Sequence, residues 1–137
     1  MIAATNTGFN GPFALDGSWL SDGAHLNTIG GTAKVLFESD PATFERAVQV
    51  VLDTEHAPGE CGDIIAAQEA GTWHSDRVST LAELFAPDAG YNRPAGITVF
   101  KSVGTAVQDV VAAAAVAAEA RVRGIGRELD ILEAKEF

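Results

Sequence analysis

Ile97-Thr-Val-Phe-Lys-Ser-Val-Gly104, running into Thr105-Ala-Val-Gln-Asp109 and an Ala/Val-rich stretch that closes at Gly124-Ile-Gly126, decides how this chain is read. β-Branched and aromatic residues at 97–100 suit a buried strand, and Gly104 marks a turn. Beyond it, Val107, Val110, Val111, Ala114, Ala118 and Val122 recur at helical spacing, while Gln108, Asp109, Glu119, Arg121 and Arg123 fall largely elsewhere. That pattern predicts a long helix at about 105–123 with one apolar stripe of small side chains. The glycines at 124 and 126 then read as its cap and turn.

Working outward, Ala24-His-Leu-Asn-Thr-Ile-Gly30 reads as a strand entering a Gly30-Gly31 loop, and Val48 to Asp53 as a central strand covered on both faces. Met1 to Ala4 suits the end of another strand, followed by a polar loop from Thr5 to Pro12. Asp40 before Pro41 has the chemistry of a helix start, an acid as N-cap and proline at the first helical position, and predicts a helix over Pro41–Arg46. Residues 59–70 suit a helix capped by Gly71, and Thr80 with Glu83 has capping-box spacing for a short helix over Leu81 to Phe85. Trp19 and Leu20 are expected to anchor the turn at Leu15 to Leu20, Pro87 to Pro94 reads as a loop, and the charged tail ending in Phe137 is expected to fray. Strands alternating with helices predict an α/β fold with a mainly parallel sheet and flanking helices, in a single domain spanning 1–137.

Nine basic against 19 acidic side chains give a formal charge of −10, the wrong sign for a nucleic-acid partner. The surplus acid, at positions such as Asp16, Asp22, Glu38, Asp40, Glu55, Glu60, Asp63 and Glu69, is expected on solvated loops and helix faces. Cys61 is alone, which excludes an intrachain disulfide and any cysteine-based metal motif, and suits a reducing compartment. The amino terminus lacks the features of a signal peptide, and the longest apolar run, Val110 to Ala118, is too short to span a bilayer. A cytoplasmic protein is expected. His56, Glu60, Cys61 and His74 match no metal-ligand spacing, His25 is expected to be structural, and Cys61 lacks the positive surroundings that activate a thiol.

Asn6-Thr-Gly8, Asp16-Gly-Ser-Trp-Leu20, Asp22 to Gly30, Glu60-Cys-Gly-Asp-Ile-Ile65, Leu81-Ala-Glu-Leu84 and Phe100-Lys-Ser-Val-Gly104 follow one another in an order that resembles the ornithine cyclodeaminase/mu-crystallin family. The likeness covers nearly the whole chain, and its implied counterpart is the second half of the family's nucleotide-binding domain plus the C-terminal helix. The resemblance therefore implies a partial Rossmann-like fold, half of a doubly wound sheet, and NAD or NADP as cofactor. It also implies family activities that include ornithine cyclodeamination, alanine dehydrogenation and reduction of cyclic imines.

Carried over by position, the resemblance implies cofactor contacts at Thr5, Asn6 and Thr7 on the adenine side, at Ile29 and Gly30 near nicotinamide, and at Lys101, Ser102, Val103 and Gly104 on the last strand-to-helix turn. Departures accompany these matches. No G-x-G-x-x-G stands between a strand and a helix, so the backbone cradle for a pyrophosphate is absent from these residues. Where the cyclodeaminases carry a catalytic Asp after the Gly-Gly loop, this chain has Thr32, and a hydroxyl cannot replace a carboxylate as general base.

Two functional expectations follow. In the first, the chain is a free-standing half-domain, a non-catalytic oligomer with a dimer favoured, binding a small ligand or a protein, with the 107–122 stripe as its interface. In the second, it is part of a split or truncated NAD(P)-dependent oxidoreductase of the amino acid dehydrogenase or imine reductase type, needing a partner that carries the glycine-rich half. No catalytic residue and no metal site are assigned in either.

Overall fold

The pairing of the strands sets the architecture. Ile2–Ala3 (β1), His25–Thr28 (β2), Ala47–Leu52 (β3), Val78–Thr80 (β4) and Ile97–Lys101 (β5) form one five-stranded sheet in the order β1-β2-β5-β3-β4. Every pairing is parallel. A computed structural model describes residues 1–5, 7–88 and 90–129, which fall into two compact units, 1–105 and from Ala106 onward.

The helices start and stop where the local chemistry directs. Pro41–Arg46 (α1) opens on Asp40, whose carboxylate accepts from the Thr43 amide at 3.0 Å. Ala57–Glu60 (α2) and Gly62–Glu69 (α3) replace the continuous helix expected over 59–70, because the chain breaks at the buried Cys61, whose backbone is extended. Gly71, at φ +74°, ends α3 with Thr72 and Gly71 amides bonded back to Ala67 and Gln68. Leu81–Leu84 (α4) carries the expected capping box between Thr80 and Glu83. The three-residue β4 just before it was not legible as a strand.

Chain direction decides which face of the sheet each connection covers. From β1 to β4 the strands advance across the sheet, and β5 returns to the slot between β2 and β3. Right-handed crossovers therefore place the first three connections on one face and the β4–β5 connection on the other. On the first face Leu26, Val50, Leu52 and Val99 pack with Phe44 of α1 and with Ile64 and Ala67 of α3 in one buried core. On the second, α4 with Phe85, Tyr91 and Arg93 leaves a groove of about 530 Å³ above His25, Gln49, Val51, Thr98 and Phe100. Leu20 is buried as expected, whereas Trp19, expected to anchor the turn with it, is 66% exposed.

Ala106–Arg123 (α5) is the second unit's helix, and none of its residues is buried. It ends at Gly124, φ +62°, with the Ile125 amide bonded to the Ala120 carbonyl and the Gly124 amide to that of Arg121. The tail from 130 to 137, expected to fray, lies outside the described residues.

Candidate functional site

In a parallel sheet the loops at the carboxyl ends of the strands gather on one edge, and backbone groups there are free of the sheet's own ladder. Here that edge carries Thr5 after β1, Ile29 to Gly31 after β2, Asp53 after β3 and Ser102 to Gly104 after β5. Thr5, Thr7, Ile29, Gly30, Gly31 and Thr32 line one hollow of about 150 Å³. Four of the residues singled out by position, Thr5, Thr7, Ile29 and Gly30, are thus brought together; Asn6 lies outside the described residues.

Beneath this hollow is a buried charge network. Alternation along β5 turns Val99 and Lys101 to the core face, so the Lys101 side chain enters the interior and is fully buried. Its Nζ donates to Asp63 Oδ2 at 2.9 Å, to Thr28 Oγ1 at 3.4 Å and to the Gly30 carbonyl. Asp63, in the first turn of α3 and equally buried, accepts the Glu38 amide at 2.7 Å through Oδ1. Glu38 Oε1 accepts the Thr5 amide at 2.5 Å and the Thr5 hydroxyl at 3.0 Å, while Oε2 accepts the Gly30 amide at 2.8 Å and the Thr28 hydroxyl. Two acids assigned from sequence to solvated positions are therefore interior groups, because each finds donors that replace water.

The environment acts differently on the two carboxyls. Burial pushes Asp63 up, and the ammonium of Lys101 and the bonded donors only partly oppose it. Burial also pushes Glu38 up, but the hydrogen bonds from Thr28, Thr5 and Gly30 outweigh it and hold this carboxyl below the usual range. At Gly30 a Cβ would meet the Thr5 carbonyl and the Glu38 carboxylate, and at Gly31, φ +59°, the Asp63 carboxylate at 2.9 Å. The Gly-Gly pair is required by the approach of these two acids.

The turn after β5 is committed internally. Ser102 Oγ and the amides of Val103 and Gly104 all donate to Asp53 Oδ2, at 2.7, 3.0 and 2.8 Å. Lys101 is thus turned away from the edge, and Ser102, Val103 and Gly104 stand on it without lining the 150 Å³ hollow. His25 is held by Thr98 at 2.8 Å and Asn27 at 3.2 Å, which fits the structural role expected. Burial pushes the Cys61 thiol up, away from the reactive thiolate. Among the described residues no group of three or more His, Cys, Asp or Glu side chains could hold a metal ion, and no helix is long and apolar enough to cross a membrane.

Sequence alone places Glu38 and Asp63 at the surface and assigns Asp53 no role. The available signal was Lys101 itself: a lysine sharing the core-facing side of its strand with Ile97 and Val99 demands a buried acid.

The parallel sheet, its flanking helices and the hollow at its carboxyl edge define an α/β protein of the Rossmann-like class. Residues 1–123 match the ornithine cyclodeaminase/mu-crystallin family, and the chain belongs to that family. It is 30% identical over 132 residues to a Delta(1)-pyrroline-2-carboxylate reductase of Bacillus cereus, covering 94% of this chain and 40% of that protein. Ketimine reductase mu-crystallin of mouse is 34% identical over 102 residues, 72% of this chain and 29% of its own length. The structure of Thermococcus litoralis Delta(1)-pyrroline-2-carboxylate reductase in complex with NADH and L-proline superposes with a TM-score of 0.73 at 29% identity, over 85% of this chain and 37% of that one. Iminosuccinate reductase of Paracoccus denitrificans in complex with NAD+ gives 0.72 at 26% identity, over 95% and 39%. The chain thus spans about two fifths or less of the length of these relatives.

Lys101→Met leaves Asp63 buried without its cation and is expected to destabilise the fold by about 3–5 kcal/mol. Adding Asp63→Asn, which removes the stranded charge and keeps an acceptor for the Glu38 amide, is expected to recover part of the loss. Urea denaturation decides; a Lys101→Met chain as stable as wild type would show that the pair holds nothing. A second expectation concerns acid. With its folded carboxyl below the ordinary 4.5, Glu38 contributes stability that is full above about pH 4.5 and is lost as pH falls through the folded value. Glu38→Gln is therefore expected to flatten the stability curve below pH 4.5 relative to wild type, and an unchanged slope there would count against the assignment.

Proposed function

We propose that this chain supplies part of the nucleotide site in an NAD(P)-dependent reductase of the imine reductase or amino acid dehydrogenase type. The observation that carries the reading is the hollow at the carboxyl edge, assembled from Thr5, Thr7, Ile29 and Gly30 and held from below by the Glu38, Asp63 and Lys101 network. Relatives that carry NADH or NAD+ in their structures support the same ligand class. A hollow of about 150 Å³ accommodates only a fragment of a dinucleotide, and no glycine-rich phosphate loop stands among the described residues, so they fit a part of the cofactor other than its pyrophosphate. The pyrophosphate would be held by a glycine-rich half, whether joined to this stretch or brought by a partner.

In such a site the cofactor supplies the hydride and the protein supplies position. Thr5 and Gly30 are pinned by Glu38, so the surface they offer is preorganised. Thr32 brings only a hydroxyl to the hollow, which suits binding and not proton abstraction.

The second reading, a non-catalytic oligomeric binding module, is favoured by one feature: Val107, Val110, Val111 and Val122 of α5 are all exposed. A homodimer through this stripe would cover them.

Calorimetry with NADH and NADPH, on this chain alone and mixed with the glycine-rich half of the Bacillus cereus relative, is expected to give binding in the mixture and little or none alone. No heat in any combination would sink the cofactor reading. Light scattering at micromolar concentration is expected to report a dimer if the stripe is an interface; a well-folded monomer would refute it.

A further inference from the structure

We propose that Asp53 is a positioning residue whose carboxylate is the resident anion of a cradle formed by the turn after β5. Two successive backbone N–H groups and a hydroxyl converging on one point make the arrangement that elsewhere binds phosphate or carboxylate ions. Here Val103, Gly104 and Ser102 provide it, and all three donors meet at Asp53 Oδ2. Gly104 has φ +81° with open space around a hypothetical Cβ, so its backbone conformation, and not crowding, selects glycine.

The other carboxylate oxygen supplies an independent observation. Asp53 Oδ1 is buried and has no hydrogen-bond partner among the described residues. All the bonds to this side chain are made through Oδ2, so its orientation is set by the turn and not by partners at Oδ1. The Asp53 amide also bonds the Lys101 carbonyl at 3.3 Å, so backbone and side chain tie the end of β3 to the end of β5.

This inference rests on the reading of the carboxyl edge as a nucleotide site and sharpens it. With its donors filled from within, the 102–104 turn is closed to a phosphate or carboxylate of an incoming ligand. It presents a fixed shape and its carbonyl groups instead, and the cofactor's phosphates fall to other parts of the site.

The test reads the cradle directly, with no nucleotide present, so failure to bind NADH leaves its outcome unaffected. In the 137-residue chain, Asp53→Ala is expected to shift the Val103 and Gly104 amide proton resonances upfield. Their hydrogen exchange is expected to speed by about tenfold or more. Excess formate is expected to restore both saturably, while chloride at equal ionic strength is not. Amides that keep their wild-type shifts in Asp53→Ala, or that ignore formate, overturn the proposal. Should Asp53→Ala fail to fold, Asp53→Asn decides by the same resonances: upfield shifts at both amides support the cradle, and unchanged shifts overturn it.

Discussion

The ammonium group of Lys101 has no exit to water, and the architecture around it follows from that constraint. A buried cation needs an acid and further acceptors. They come from α3 through Asp63, from β2 through Thr28 and from the loop after β2 through the Gly30 carbonyl. Asp63 then holds the Glu38 amide, and Glu38 in turn holds Thr5, Thr28 and Gly30. One interior charge thereby links the ends of β1, β2 and β5 to a helix and to the segment at 31–40. Two carboxyls stand against one cation in this interior, and the excess negative charge is met by amide and hydroxyl donors in place of a second cation.

The same network explains why the carboxyl edge has a shape at all. Loops without regular structure are usually the mobile part of a fold, yet here Thr5 and Gly30 each bond the carboxylate of Glu38, whose own backbone amide is held by Asp63. Gly30 and Gly31 lack side chains because the acids occupy the space a Cβ would take. The groups that make the hollow are consequently supports and surfaces. None of Thr5, Thr7 or Thr32 can serve as a base at neutral pH, and the nearest strong acid-base group, Glu38, has both oxygens bonded inside. Binding chemistry is what such a hollow offers.

Where local chemistry decides, the sequence could be read closely. The Asp40-Pro41 start, the Thr80/Glu83 capping box, the Gly71 and Gly124 caps and the strands at the start of the chain, at 25–28, 47–52 and 97–101 stand where their residues imply. What escaped depends on partners distant in sequence. Glu38 lies 33 residues from Thr5 and Asp63 lies 38 from Lys101, and nothing in the flanking residues says that either acid turns inward. The break at Cys61 and the short β4 have similar causes: Gly62 fits closely against the Leu36 carbonyl, and β4 is defined by pairing with β3. At the site, position along the fold located Thr5, Thr7, Ile29 and Gly30 but could not tell that Lys101 points inward and that Ser102 to Gly104 serve Asp53.

The second face of the sheet shows how a parallel sheet tolerates thin cover. Parallel strands are ordinarily apolar on both sides because helices pack on both. On this face polar side chains interrupt the pattern: His25, Asn27, Gln49 and Thr98 stand on β2, β3 and β5. They satisfy one another or the covering segment, His25 through Thr98 and Asn27, Thr98 through Arg93 at 3.2 Å, and Gln49 through Tyr91 at 3.0 Å. Arg93 reaches on to the Gly23 carbonyl at 2.7 Å and so fastens the 85–96 segment across the strands. Within the 1–105 unit only the β4–β5 connection, with the short α4, lies on this side, and these bonds hold it to the strands. His25, bonded to Thr98 and Asn27, is one of these ties between neighbouring polar side chains on β2 and β5.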